Sequence, residues 1–327
     1  MKQFLRACVA LLALTSAAQA QTPVKIGIGF GVGFLPMFIA QDQHLVEKHA
    51  KDAGLDVAAS YIRFSGSSAM QDAVLSNSVD MGVYGVAAML IAWDKAHGTP
   101  NQVFGIAGVN STPLVLVTNK ADAKDIGDLG PADKLAMPAM VSPQMYALQM
   151  IAEKRFGAGQ QDHFRNLVVA LPHPESVNSL LSGGTEVHAY FSTPPFTQVV
   201  LDSGKAHVLT TSEEAFGGRS TFLALGATKR YLDGHPKMAQ VMIDALHEAG
   251  DMIRNDPERA AAIYLKVEPS KYLDQARVVA MLKSEHDDFG TEVSGVKAVA
   301  DFMGRTGGLK RVPASAKDVF VTDVGGN

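Results

Sequence analysis

The sequence predicts an α/β protein built from about two units. Short apolar runs rich in β-branched residues alternate with helix-like segments over residues 24–211, the pattern of βαβ units and a mostly parallel sheet. From Phe222 onward the pattern changes to amphipathic helices with apolar residues three and four apart. The 327 residues, 47% hydrophobic and 19% charged, suffice for two cores of ordinary size and exclude a wholly disordered chain.

Residues 1–20 read as an address rather than as part of the fold. Met1–Arg6 carries Lys2 and Arg6, Ala7–Ala17 is largely apolar, and Ala18-Gln19-Ala20 has the A-x-A form of a cleavage site. Together they make a secretory signal peptide. The apolar run is too short for a helix across ~30 Å of hydrocarbon, and Arg6-Ala7 before Cys8 is not a lipid-attachment signal. Cleavage after Ala20 removes two cations and no acid, taking the net charge from −4 to −6. It also removes Cys8, the one cysteine. The expected product is exported and thiol-free, in the periplasm of a Gram-negative cell.

Each element then follows in order. Val24–Phe30 is a strand, Gly31–Pro36 breaks it, and one helix runs from Pro36 to about Lys51. Asp56–Phe64 is a strand, Ala69–Leu75 a helix, Asp80–Tyr84 a strand and Val86–Ala96 a helix. Val103–Val109 and Leu114–Thr118 are strands on either side of Asn110-Ser111-Thr112-Pro113. Lys134–Met137 is a strand, and Ser142-Pro143 opens a helix to about Phe156. Leu167–Leu171 is a strand and Glu175–Leu181 a helix ending at Gly183-Gly184. Glu186–Phe191 is a strand, Thr193-Pro194 begins a helix, and His207–Thr211 is the last strand of this stretch. His235-Pro236 starts the long amphipathic helix through Ile253, and Asp256-Pro257 starts another as N-cap and first-turn proline. Ser270–Ser284 and Ser294–Gly304 complete a helical tail.

The chemistry-bearing motifs are few. Twenty-nine Lys and Arg against 33 Asp and Glu exclude the basic excess of a nucleic-acid binder. A single cysteine excludes an intrachain disulfide framework or a multi-cysteine zinc site. Gly27, Gly29, Gly31 and Gly33 follow the first strand but lack the GxGxxG spacing. No GxxxxGK[ST], GxSxG or HExxH occurs. The ten histidines are scattered, and Glu285-His286-Asp287-Asp288 reads as a solvated charge cluster. No cofactor, metal or catalytic residue is assigned. What remains are hydroxyls before helices, at Ser67 and Ser68, at Ser142-Pro143 and at Thr193-Pro194. Free backbone N–H groups make such helix starts natural anion sites at the carboxyl ends of strands.

The ordered series of segments resembles the substrate-binding proteins of ABC importers, in the nitrate/sulfonate/taurine and thiamine-pyrimidine group. Pro36 with Phe38-Ile39-Ala40 matches that family's first helix, and Gly54-Leu55-Asp56-Val57 its "GLDV". Ser65-Gly66-Ser67-Ser68 with Gln71, Ala73 and Leu75 matches "sGss…qAL". Asn77-Ser78-Val79-Asp80-Met81-Gly82 stands at "sGevDxg", with Asn77-Ser78 in place of Gly-Glu. Ile126-Gly127-Asp128-Leu129 with Leu135-Ala136-Met137-Pro138 resembles "I.DLkGKkIavp" without its lysines. Leu180–Ala189 resembles "aL.sGevDA" with His188 for the aspartate, and Pro236 and Asp256–Ala261 resemble the C-terminal helices.

The resemblance implies a type II periplasmic binding protein: two α/β lobes joined by two crossover strands. Lobe one is expected at 22–112 plus 213–327 and lobe two at 113–212. A small-molecule ligand lies between the lobes and is delivered to an ABC permease and its ATPase at the inner membrane, by a monomer. Expected site residues in lobe one are Gly33, Phe34, Leu35, Ser65, Ser67, Ser68 and Gly85. In lobe two they are Met140, Ser142, Gln144, Phe191, Ser192 and Thr193. Asn110, Ser111 and Thr112 lie at the first crossover. Arg219, at the second, is the first choice to pair an anion, and Arg63 the second choice. Phe34, Tyr84, Met140, Tyr146 and Phe191 as walls point to an organic sulfonate or carboxylate with an apolar or aromatic body. A neutral heterocycle such as a thiamine pyrimidine, or a role serving a sensor, are the alternatives. Related desulfinases need a catalytic cysteine, and pyrimidine synthases a cysteine-rich motif. The mature chain has neither, so no enzymatic activity is expected.

Overall fold

A computed structural model describes residues 21–270, 272–283 and 289–321; the segment read as a signal peptide and the charge cluster at 285–288 lie outside the described residues. Val24, Ile26 and Ile28 are buried along Thr22–Ile28 (β1), which pairs in parallel with Val57–Arg63 (β2) and Met81–Gly85 (β3). Between β1 and β2 run two helices, Leu35–Asp42 (α1) and Leu45–Asp52 (α2), where the sequence suggests one. The break is at His44, in the left-handed region at φ 52°, which re-aims the chain so that Leu45, Val46 and Ala50 reach the core. Ser67–Leu75 (α3) and Val86–Lys95 (α4) flank β3, and Val103–Asn110 (β4) closes this stretch.

The chain then crosses to a second sheet and repeats the plan. Val115–Thr118 (β5) and Lys134–Met137 (β6) are followed by Pro143–Phe156 (α5), Val168–Ala170 (β7), His173–Ser182 (α6) and Val187–Ser192 (β8). Ser142 caps α5 through Oγ, which accepts from the Met145 N–H at 3.2 Å. Phe196–Asp202 (α7) begins three residues after Thr193, because Pro194 and Pro195 occupy the turn, joined by a cis peptide. His207–Thr211 (β9) and Ser212–Phe216 (α8) precede the return crossing.

Leu223–Thr228 (β10) re-enters the first sheet, and the helices Lys229–Gly234 (α9), Met238–Asn255 (α10), Pro257–Val267 (α11), Gln275–Leu282 (α12) and Val296–Arg305 (α13) finish the fold. Helix α10 starts at Met238 rather than at Pro236, because the His235 N–H still bonds back to Tyr231 and closes α9. Its apolar face, Val241, Met242, Ala245, Leu246, Ala249 and Ile253, is buried against α1 and α2. Burying each large aliphatic side chain contributes roughly 1.5–3 kcal/mol relative to exposure. Asp256 caps α11 as its sequence suggests, accepting from the Arg259 N–H at 3.0 Å.

The two five-stranded sheets have the orders β2-β1-β3-β10-β4 and β7-β6-β8-β5-β9. Each is mixed, with four strands running one way, as the βαβ pattern suggests, and one strand running against them. β10 runs antiparallel to β3 and β4, and β5 antiparallel to β8 and β9. The reason is where the chain enters. A strand arriving from the other sheet comes in at the edge where the parallel strands end, so it must run against them.

Candidate functional site

The carboxyl ends of the parallel strands of both sheets face one cleft of about 790 Å³, its open mouth included. Contributions come from both sheets and both crossings. The first wall is the turn after β1, with Phe30, Gly33 and Phe34. Gly31 in this turn has φ 96°, a conformation glycine adopts without steric cost, and its N–H is held by both carboxylate oxygens of Glu268 at 2.9 and 3.1 Å. Phe64, Ser65, Gly66 and Ser67 follow, between β2 and α3. Ser67 Oγ accepts from the Gly85 N–H at 3.3 Å, which leaves its own proton to donate. Gly66, not a serine, is the N-cap of α3.

Across the cleft stand Pro138 and Ala139 after β6, then Ser142, Pro143 and Gln144 at the start of α5. Ser142 Oγ is already committed, donating to the Ala139 carbonyl at 2.7 Å and accepting from Met145. Gln144 differs. It is 2% exposed, and its side-chain amide has no hydrogen-bond partner among the described residues. The amide is not among the enclosed unpaired groups of the described residues; it opens onto the cleft, where a ligand or water can complete its hydrogen bonds. His173, at the start of α6, lines the same wall. Burial pushes its imidazole down to about 4, so the ring is neutral near pH 7. Its Nδ1 meets Tyr190 Oη and its Nε2 lies 3.5 Å from Thr193 Oγ1. With the Tyr190 hydroxyl as donor, the ring proton sits on Nε2, toward Thr193 and the cleft.

At the first crossing, Thr112 Oγ1 accepts from Asn110 Nδ2 at 2.7 Å, while the Thr112 N–H bonds back to Asn110 Oδ1 at 3.1 Å. Phe222 and Leu223 complete the lining at the second crossing.

Of the residues singled out in the sequence, the structure brings Gly33, Phe34, Ser65, Ser67, Asn110, Thr112, Ser142, Gln144 and Thr193 to the cleft. The others lie elsewhere. Leu35 and Phe191 are fully buried in the hydrophobic cores. Ser192 is spent on the Val115 carbonyl and Thr197. Ser68 and Met140 are exposed, and Ser111 is buried outside the lining. Gly85 lies just behind the wall, where a Cβ would come within 2.3 Å of Pro143 Cγ and hold the two lobes apart. Tyr84 is in the core with no partner for its hydroxyl among the described residues, and Tyr146 lines a smaller pocket beside the cleft.

Neither arginine lines the cleft. Arg219 is exposed on the second crossing, where its carbonyl accepts from Ser294 Oγ. Arg63 lies behind Phe30, its guanidinium 4.9 Å from that ring and 4.9 Å from Phe38, and 3.9 Å from Glu268. Burial pushes the Glu268 carboxyl up, against the pull of the Gly31 N–H and Arg63. No Lys, Arg, Asp or Glu is among the described lining residues. Sequence reasoning missed Phe30, Phe64, Met70, His173 and Phe222. Phe64 and Phe222 adjoin a strand and His173 opens a helix, the one signal that marks them; Phe30 stands two residues past β1 and Met70 lies within α3.

A family model described as the NMT1-like family matches residues 17–266. No curated protein sequence matches the chain. Among solved structures, the alkanesulfonate-binding protein SsuA of Xanthomonas axonopodis pv. citri, bound to MOPS, is similar at TM-score 0.72 and 18% identity, over 93% of this chain and 99% of that one. The periplasmic nitrate-binding protein NrtA of Synechocystis PCC 6803 is similar at 0.66 and 14%, over 92% and 85%. The desulfurization enzyme DSZB is similar at 0.58 and 10%, over 93% and 97%. At these identities the likeness is one of fold, the two-lobed periplasmic binding protein fold.

Proposed function

The chain belongs to the NMT1-like family, and from that premise we propose that it is an exported solute-binding protein. It holds a small organic molecule between its lobes and presents it to an ABC permease in the periplasmic space. The observation that carries this is the Gln144 amide, nearly buried, without a partner and facing a cleft otherwise lined by phenylalanines, prolines and hydroxyls. Such a site fits an apolar or aromatic body with one compact polar head.

A sulfonate suits the head best. It is weakly basic, and neutral donors hold it at a smaller desolvation cost than a carboxylate demands. The donors are Gln144, the Ser67 hydroxyl, His173 Nε2–H and the backbone N–H groups at the start of α3. A ligand that touches both walls binds the closed form better than the open one, and that difference drives closure. Binding is favoured over catalysis at the Thr193–His173 hydroxyl–imidazole pair of the cleft. The other ring nitrogen of His173 meets a tyrosine, not a carboxylate that would orient a base. A neutral heterocycle of the thiamine-pyrimidine kind is the second reading, favoured by the lack of any formal charge among the described lining residues.

The test is a thermal-shift panel on residues 21–327 with alkyl and aryl sulfonates, aryl carboxylates, nitrate and a thiamine pyrimidine. A ligand at 100 times its Kd stabilises by about 2.7 kcal/mol, a shift of a few degrees. Aryl or alkyl sulfonates giving the largest shift is the expected result. Stabilisation by nitrate alone would overturn the organic-solute reading, and stabilisation by the pyrimidine alone would select the second one.

A further inference from the structure

Behind the aromatic wall lies a charged pair that never reaches the cleft. The Glu268 carboxylate, at the end of α11, clasps the Gly31 N–H with both oxygens, at 2.9 and 3.1 Å. Arg63 at the end of β2 lies 3.9 Å from the same carboxylate and 3.5 Å from the Val267 carbonyl. Its guanidinium is 4.9 Å from the Phe30 ring and 4.9 Å from Phe38, which in turn stacks on Tyr264 of α11. Phe30 itself is 48% exposed and lines the cleft. Gly31 sits against the opposite lobe, where a Cβ would be 3.4 Å from the Pro194 carbonyl.

A Gly-rich turn therefore presents an aromatic ring to the cleft, and a helix end distant in sequence bonds to that turn. Holding a carboxylate and a guanidinium half-buried carries a desolvation cost. Their joint effect is to fix one backbone N–H and one ring. We infer that Glu268 and Arg63 are positioning residues for ligand binding. They hold the Phe30–Gly31 turn in its binding geometry and thereby set how large a ligand body the cleft admits. The inference rests on the solute-binding reading.

The experiment measures affinity for benzenesulfonate and methanesulfonate by calorimetry, and amide exchange at Phe30–Phe34 without ligand, in the wild type, Glu268→Ala, Glu268→Gln, Phe30→Ala and the Glu268→Ala/Phe30→Ala double variant. Glu268→Ala is expected to weaken benzenesulfonate about tenfold and methanesulfonate little, with faster exchange at Gly31. Glu268→Gln, which keeps an acceptor oxygen, restores most of the affinity. In the Phe30→Ala background the further loss falls to about twofold or less, since the ring it positions is gone. Equal weakening of both sulfonates, or full additivity with Phe30→Ala, would overturn the inference in favour of a general structural role. If the wild type binds neither sulfonate, the solute class is wrong. The positioning claim is then judged by exchange alone, and an unchanged Gly31 rate in Glu268→Ala refutes it.

Discussion

The two lobes share one strand order but bring different chemistry to the cleft. The first supplies Phe30, Phe34 and Phe64 from the turns after its strands and Met70 from α3, with Phe222 at the second crossing. The second supplies Ser142, Gln144, His173 and Thr193, spaced by prolines. One topology, used twice, thus yields a mainly apolar wall, broken by Ser65 and Ser67, and a more polar wall. Under the proposed function the ligand's body rests on the phenylalanines, and its head meets Gln144 and His173 of lobe two and the Ser67 corner of lobe one. No charged side chain is among the described lining residues, so the donors proposed for the head are neutral.

The largest expected effect comes from preventing the two walls from meeting. Gly85→Val puts a side chain where Pro143 Cγ lies 2.3 Å from the first added carbon. Binding to immobilised sulfonate should be lost, while circular dichroism remains that of the folded chain. Retained affinity would mean that closure does not bring Pro143 to β3.

Next is the charge state of the polar wall. The His173 imidazole is held near 4 in the folded chain against about 6.5 when unfolded. The unfolded chain therefore binds the proton first. Stability is intact above about pH 6.5 and falls as the pH drops from 6.5 toward 4, by up to about 3 kcal/mol for this group. Urea denaturation of the wild type and His173→Gln at several pH values isolates the term as the difference between their slopes. Equal slopes would mean that His173 is solvated, leaving lobe two with a cation at mildly acid pH.

Gln144→Leu is expected to cost about 2 kcal/mol of binding, some thirtyfold in Kd, with little loss of stability, because its amide has no partner to lose. Isothermal titration with the best ligand of the panel reads this directly. A variant bound as tightly as the wild type would move the head group off lobe two. The smallest effect sharpens the same contrast. Ser142→Ala removes a cap and should lower stability by about 1 kcal/mol yet leave affinity nearly unchanged, since its hydroxyl already serves Ala139 and Met145.

Much of this was legible before any coordinates. Lys134–Met137, Pro143–Phe156 and His207–Thr211 appear at the bounds the sequence suggests. They are set by local terms: apolar period, a serine cap and a first-turn proline. The break at His44 and the late start of α7 were not legible, because a left-handed residue and a two-proline turn leave the hydrophobic period unchanged. Ser67, Gln144 and Thr193 reach the cleft because the turns and helix starts after the parallel strands of an α/β fold gather at one end of the sheet. Leu35, one residue beyond a cleft turn, was misplaced into the site, since a single step along a helix swings a side chain by about 100° into the core.

By itself, the sequence determined the alternating α/β plan, the absence of common catalytic and metal motifs from the chain, and several of the turns that line the cleft. These follow from composition and from interactions a few residues apart. The tertiary structure decided which side chains converge. It placed Arg63 behind Phe30 rather than in front of it, left Gln144 without a partner, and neutralised His173 by burying it. The physical reason is range. Caps and periodicity act within one or two turns of chain, whereas burial, desolvation and the meeting of two lobes depend on residues from about twenty to more than two hundred positions apart.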